Sequence, residues 1–236
     1  ALVTGLVMVG GVGRIARVST ALVPAMALLY IAGALAVILP HAAALPGTLQ
    51  MIFSCALSPS AALGGACGWT VAQAMRYGVA RGVFTNEAGL GTSAMAHGSA
   101  RVDHPARQGM WGIFEVFLST LVVCTLTALA VLVSGVFDPQ NPAGLTGAPL
   151  TAAAFSSVLG RLGAGMVALS LLLFAFSSIL GWSYYGQQCL YCLSGNDRLV
   201  PAYRTVFLCC TLAGAIWEPD AVWLLVDLCS ALMALP

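Results

Sequence analysis

The sequence predicts an all-α integral membrane protein. Of its 236 residues, 60% are hydrophobic and only 7% are charged, whereas an ordinary soluble domain carries about 25% charged residues. Apolar segments approach the roughly 20 residues that cross a bilayer as a helix, and they recur along the chain. So few charges could not cover a soluble fold of this size. A formal net charge of +1 also offers no basic face for nucleic acid.

Two apolar segments begin the chain. Residues 1–13 are predicted to end one span, and residues 20–40 form a complete one. Residues 41–60 are less apolar and contain two prolines, so we expect an outer loop with a short interfacial helix. Because the chain begins and ends inside apolar runs, we expect an internal piece of a longer membrane protein.

The next segment, 61–100, is too long for one straight span and is predicted to be a broken helix. Its eight glycines each cost about 1 kcal/mol relative to alanine in a helix. We expect one half-helix to end near Gly82, an unwound centre at FTNEAGLG (84–91), and a second half-helix from Thr92 to Ala100. Irregular backbone at membrane depth survives where it faces protein or a water-filled cavity, so the break predicts a ligand site.

Further spans are predicted after the break, at residues 111–136, 164–192, 205–217 and 221–236. Arginines lie in the loops 14–19, 101–109 and 194–204, whereas the loops 41–60, 137–150 and 218–220 contain no Lys or Arg. The positive-inside bias therefore places the first group of loops in the cytoplasm. Arg161, at the start of a span, is the exception.

The unwound centre would expose carbonyls at the end of the first half-helix and amides at the start of the second. Such groups bind cations and anions respectively, and an amino-acid zwitterion suits that arrangement. Thr85 and Asn86 add polar groups. Glu87 needs a partner at this depth, either Arg81 or Arg76, or it contacts the ligand directly. For Asp227, in the last span, a structural hydrogen bond and a place on an ion path are equally open.

A second polar group lies within span 164–192. Phe174, Ser178, Trp182 and Tyr185 recur at helical spacing and share one face. The adjacent hydroxyls of Ser177 and Ser178 have two interpretations: they bond back to their own helix, or they supply two oxygens to a Na⁺ site.

Two motifs suggest rival functions. GLGTSA (89–94) matches a dinucleotide fingerprint by letters, but no strand precedes it and no βαβ unit surrounds it. Cys189 and Cys192 form a C-x-x-C pair, which in redox proteins begins a helix. Here the pair ends a long apolar helix, so a membrane thiol or redox protein is the remote alternative.

Several blocks resemble the alanine or glycine:cation symporter family. RYGVARGVFTNEAGLGTSAMAHGSARVDHPARQG (76–109) resembles its broken sixth helix, with the run G-x-F-[ST]-N-E-A-G-x-G. GRIARVSTALVPAMALLY (13–30), LTAAAFSS (150–157) and FSSILGWSYYG (176–186) are similar to further family blocks, in the family's order. DLCSALMALP (227–236) departs from the pattern, with Ser and Ala where Asn and Gly would be expected.

The resemblance implies an APC-superfamily transporter with the leucine-transporter-type inverted-repeat fold. The chain would run from the end of helix 4 to part of helix 10, as a single transporter domain over 1–236 lacking helices 1 to 3. Phe84 and Trp182 match pocket-lining aromatics. Ser178 matches a hydroxyl position near substrate and sodium that is usually threonine, so the pocket would be slightly larger.

The expected function is Na⁺-coupled symport of a small neutral amino acid, alanine or glycine, across the inner (cytoplasmic) membrane by alternating access. No enzyme activity and no cofactor other than the coupling Na⁺ are expected, and the partners are the amino acid, Na⁺ and the lipid bilayer. A nearer alternative keeps the fold but carries another small amino acid or uses H⁺. The candidate substrate-binding residues are Phe84, Thr85, Asn86, Gly89, Ser178 and Trp182. The candidate Na⁺ ligands are Ser177 and Ser178.

Overall fold

The computed structural model of the protein describes residues 2–57, 68–87, 89–137 and 145–233, and all regular structure in these ranges is helical. The α-helices are α1 (Leu2–Val9), α2 (Gly11–Ile38), α3 (Leu45–Leu57), α4 (Gly68–Asn86), α5 (Thr92–His97), α6 (Pro105–Val116), α7 (Thr125–Val133), α8 (Gly147–Leu159), α9 (Arg161–Ser194), α10 (Val200–Gly214) and α11 (Pro219–Met233). A π-helical segment, Phe117–Cys124, joins α6 to α7, and 3₁₀ turns cover Leu39–Ala44 and Asp197–Leu199. The all-α prediction is confirmed.

Three helical stretches are long and apolar enough to cross a membrane, judged by length and composition over the described residues: Gly13–Ser54, Pro105–Val133 and Arg161–Ser194. They coincide with the predicted spans at 20–40, 111–136 and 164–192. The other two predicted spans overlap α10 and α11, which have 15 residues each. These helices agree with a membrane transporter, while the leucine-transporter-type arrangement stays a prediction.

The prediction of a loop at residues 14–19 is wrong, because these residues lie inside α2. The chain turns earlier, at Gly11, whose φ of 69° lies in the left-handed region that glycine adopts without strain. The Arg14 side chain folds back over Gly10, and its Nη1 donates to the Leu6 carbonyl oxygen at 2.9 Å. Arg14 therefore satisfies a carbonyl near the end of α1, a role that a helix terminus offers to a basic side chain.

The region expected as an outer loop, 41–60, is more helical than predicted as far as it is described. A 3₁₀ turn leads into α3, which has 13 residues. Pro46 occupies the first turn of α3, where its missing N–H breaks no helical hydrogen bond. Residues 58–67 of the predicted outer loop and broken helix, residues 138–144 of the next loop, and residues 234–236 lie outside the described residues.

The chain divides into two compact units. The first comprises residues 1–26, 87–113 and 172–236. In it, α1 packs against α10, and Val7, Met8, Ile15 and Leu180 form a buried core. This core joins residues near the start of the chain to Leu180 of α9. The prediction of a single domain stays a prediction.

The second unit comprises residues 27–86 and 114–171. In it α7 packs on α3 and α8, and the π-helical segment packs on α4. Phe155 is 1% exposed, and its ring lies 5.6 Å from that of Tyr30. The Tyr30 hydroxyl lies 2.7 Å from Thr127 Oγ1. A methyl group at Gly33 would lie 2.9 Å from Met166 Cε, so this glycine allows α2 and α9 to approach closely.

Candidate substrate and ion site

The predicted helix break is present and is narrower than expected. α4 continues through Asn86 and α5 begins at Thr92, so the interruption falls between these two residues. Gly89 and Gly91 have φ values of 76° and 75°. The backbone N–H of Leu90 donates to the Glu87 carbonyl at 3.2 Å and closes a tight turn. The two glycines thus supply the left-handed conformations that the break requires.

Three candidate residues expected in the unwound centre are helical instead. Phe84, Thr85 and Asn86 form the last turn of α4, because Gly82 does not end the helix. A single glycine is tolerated within a helix at a cost of about 1 kcal/mol. The helix ends at Asn86, and the next residue, Glu87, has a φ of 54°. Glu87 is the only described non-glycine residue with a positive φ.

A hydrogen bond spans the break. Thr92 Oγ1 donates to the Glu87 carboxylate at 2.6 Å, and Thr92 is only 1% exposed. Such short O–H···O distances are typical of hydroxyls bonded to carboxylates. A left-handed conformation of a non-glycine residue costs on the order of 1–3 kcal/mol. The bond to Thr92 offsets that strain and fixes Glu87 relative to the first residue of α5.

The second half-helix, α5, has six residues and ends at His97, three residues before the predicted Ala100. The Nε2 amide of Gln108 on α6 lies 2.7 Å from His97 Nδ1. The Cys189 thiol of α9 lies 3.8 Å from Met95 Sδ. Side chains of α6 and α9 therefore both contact this short helix, which could not be stable alone.

The two candidate sodium ligands occupy different environments. Ser177 is half-buried, and its Oγ donates to the Phe174 carbonyl of its own helix at 2.9 Å. The same Oγ lies 3.9 Å from Met26 Sδ of α2. Ser178 is exposed. The interpretation in which a hydroxyl bonds back to its own helix is therefore observed for Ser177.

The candidate aromatic residue on α9 belongs to a small ring cluster. Trp182 is half-buried, and its ring centroid lies 5.9 Å from that of Tyr185, at an interplanar angle of 66°. This edge-to-face contact confirms that the two residues share a helix face, as their spacing predicts. Tyr184 extends the cluster, 6.4 Å from Tyr185.

The candidate substrate residues belong to both units. Phe84 and Asn86 are half-buried and Thr85 is exposed, all in the second unit. Gly89, Ser178 and Trp182 belong to the first unit. Their assembly into one pocket stays a prediction. In the described ranges, no three His, Cys, Asp or Glu side chains are grouped to hold a metal ion.

Sequence reasoning missed a buried polar connection between α9 and α10. Arg204 donates from Nε and Nη2 to Gln187 Oε1, at 3.1 and 2.9 Å. Gln187 is 7% exposed, and its Nε2 donates to the Ser183 carbonyl at 3.0 Å. From sequence, Arg204 is only one of the arginines of the loop 194–204 that indicate the cytoplasmic side. A glutamine inside an apolar helix was the available signal, because a buried amide requires partners.

Comparison with known proteins also indicates a transporter family. The family model described as the sodium:alanine symporter family matches residues 1–236. The chain is 42% identical over 236 residues to an uncharacterized transporter of Haemophilus influenzae. It is 37% identical over 236 residues to the sodium/alanine symporter AgcS of Methanococcus maripaludis. It is 38% identical over 233 residues to the "probable sodium/glutamine symporter GlnT" of Bacillus subtilis.

These three alignments cover 100%, 100% and 99% of this chain, and 51%, 51% and 47% of the respective relatives. The chain therefore spans about half the length of the curated relatives it matches.

Proposed function

The chain belongs to the sodium:alanine symporter family, and from that premise we propose that the whole protein couples uptake of a small neutral amino acid to Na⁺ by alternating access. Its relatives are transporters and not enzymes. The helix break at residues 87–91 is the observation that carries the proposal. An interrupted helix in an otherwise apolar chain is how membrane transporters present backbone groups to a substrate.

The end of α4 supplies the polar groups for the substrate. The last four carbonyls of a helix have no partner within it, so they can accept hydrogen bonds from an ammonium group. The Thr85 hydroxyl and the Asn86 amide lie on that last turn. The family resemblance implies that Phe84 and Trp182 line the substrate pocket, and large rings there would favour a small side chain such as that of alanine or glycine. Gly89 would let the backbone approach the substrate closely.

Glu87 acts as a positioning residue in this proposal. Its carboxylate already accepts a hydrogen bond from the buried Thr92 hydroxyl, and its own backbone ends α4. A group with these two roles keeps the left-handed turn at Glu87 in a constant geometry relative to the start of α5. The substrate contacts then fall to the neighbouring residues.

The sodium ion would bind to the hydroxyl pair on α9. Ser177 donates its proton to the Phe174 carbonyl, so its oxygen presents lone pairs to a cation. Ser178 supplies the second oxygen. Na⁺ is a hard cation, and neutral oxygens from hydroxyls and carbonyls are suitable ligands.

Labelled alanine uptake into vesicles containing the full-length protein tests the proposal. Uptake should require an inward Na⁺ gradient and should fall to background when choline replaces Na⁺. Ser177→Ala combined with Ser178→Ala should raise the Na⁺ concentration needed for half-maximal uptake. Thr20→Val, which alters an exposed threonine that bonds to its own helix, is the matched control. Uptake that is equal in choline would reject Na⁺ coupling.

A larger neutral amino acid is the second candidate cargo, because one relative at 38% identity carries the name of a sodium/glutamine symporter. Serine at position 178, where the resembling family usually has threonine, also leaves more room. Unlabelled glutamine and glycine should be compared as competitors of alanine uptake. Stronger competition by glutamine would favour the larger cargo.

A further inference from the structure

Two sulfur atoms from two helices meet near the end of α9, and a third cysteine lies one helical turn further along α9. The Cys189 thiol lies 3.8 Å from the Met95 thioether of α5, a contact between residues 94 positions apart. Cys192 follows three residues after Cys189, so both lie on the same face of α9, with Cβ atoms about 5–6 Å apart. Both cysteines are free thiols and exposed. The C-x-x-C pair thus gains a third sulfur that only the fold provides.

The spacing of the sulfurs fits a shared metal ion. With a metal–sulfur distance of about 2.3 Å, two ligands at tetrahedral or trigonal angles lie about 3.8–4.0 Å apart. The distance from Cys189 Sγ to Met95 Sδ is 3.8 Å. Cys192 is exposed and lies one helical turn from Cys189, so a rotamer that directs its thiol towards the pair would complete the site.

The ligand types select a soft ion. Thiolate and thioether sulfur favour Cu(I), whereas Mg²⁺ and Ca²⁺ need oxygen ligands. Structural Zn²⁺ takes four ligands from Cys, His and carboxylates, and no three such side chains are grouped to hold a metal in the described ranges. We propose that Cys189, Cys192 and Met95 form a three-coordinate binding site for Cu(I).

Binding involves proton release and no redox change. Each cysteine gives its thiol proton to solvent as its sulfur bonds to Cu(I), while Met95 donates a lone pair from its neutral sulfur. Two thiolates and one Cu(I) leave a site charge of −1. Copper stays in its monovalent state throughout.

The bound ion would tie α5 to α9. α5 is the half-helix that follows the break, so a metal linking it to α9 should prevent any change in their relative positions. This consequence rests on the proposed transport function, because it predicts that Cu(I) arrests alanine uptake. The metal site itself does not depend on that function.

Competition for Cu(I) against a chromophoric chelator, with reduced full-length protein in detergent, tests the site. The wild type should hold one tightly bound Cu(I), and X-ray absorption should show sulfur ligands only. Met95→Leu, which conserves volume, and Cys192→Ser should each lower the affinity by at least the roughly 10–100-fold that outer-shell changes cost at metal sites. Cys209→Ser removes another exposed free thiol, on α10, and should leave the tight site unchanged.

Equal Cu(I) affinity in the wild type and Met95→Leu would overturn the proposal, as would loss of the tight site in Cys209→Ser. The transport arm is separate. Alanine uptake by the wild type, but not by Met95→Leu, should fall when Cu(I) is added. Metal binding without any alanine uptake, in the absence of copper, would contradict the proposed function and leave the metal site supported.

Discussion

The hydrogen bond across the helix break gives the sharpest prediction about this protein. Thr92→Val replaces the hydroxyl by a methyl group of similar size at a position that is 1% exposed. The variant loses a 2.6 Å bond to a carboxylate. Hydrogen bonds to charged groups contribute about 1.5–3 kcal/mol, so the free energy of unfolding should fall by about that amount.

A double-mutant cycle isolates this bond from other effects of the substitution. Glu87→Gly removes the carboxylate and relieves the left-handed strain at that position, where φ is 54°. In the Glu87→Gly background, Thr92→Val should therefore cost much less than in the wild type, giving a coupling of about 1.5–3 kcal/mol.

Urea unfolding of the full-length protein in detergent micelles, followed by tryptophan fluorescence, is the measurement. Thr20→Val is the control, since Thr20 is an exposed helical threonine that bonds to the Ala16 carbonyl; its cost should stay within about 0.5 kcal/mol. An equal cost of Thr92→Val in both backgrounds would show that Glu87 and Thr92 are not coupled, and the positioning role of Glu87 would be refuted.

Three further substitutions test the described contacts and the turn at Gly11 by the same unfolding measurement. Arg204→Leu should destabilise the protein by about 1–3 kcal/mol, because the buried Gln187 amide loses its partner; no loss would show that water replaces the guanidinium. Gly186→Ala should destabilise the protein because its methyl group would meet the Tyr203 hydroxyl, and Tyr203→Leu should restore stability; failure of that rescue would place the strain elsewhere. Gly11→Ala should cost about 1 kcal/mol or more, given a φ of 69°, and a neutral result would contradict a left-handed turn there.

The helix break shows how far local sequence carries a structural prediction. Glycines and polar residues between two apolar runs affect the backbone conformation only of residues close to them in the chain. The sequence alone therefore places the break near residues 84–91. Its first boundary was wrong by four residues, because a helix tolerates Gly82 and ends only where Glu87 turns left-handed. The Thr92 hydroxyl that stabilises this turn lies on the far side of the break, so the residues around Gly82 do not predict its hydrogen bond to Glu87.

The arginines also separate what the sequence predicts from what only the structure shows. Their distribution predicts which loops are cytoplasmic, since that bias depends on composition alone. It does not show what each side chain contacts: Arg14 covers the Leu6 carbonyl within a helical region, and Arg204 binds a buried glutamine. For Ser177, sequence left two interpretations open, and the structure shows the bond to its own helix.

Sequence by itself determined the membrane class, the all-helical architecture, the family and the existence of the break, because these follow from composition, periodicity and short contiguous motifs. Only the tertiary structure decided which distant side chains meet. Gln187 and Arg204 are 17 residues apart, and Met95 and Cys189 are 94 apart. Such pairs depend on how the helices pack against one another. That packing depends on close contacts, such as Tyr203 against Gly186, between residues that are far apart in the chain.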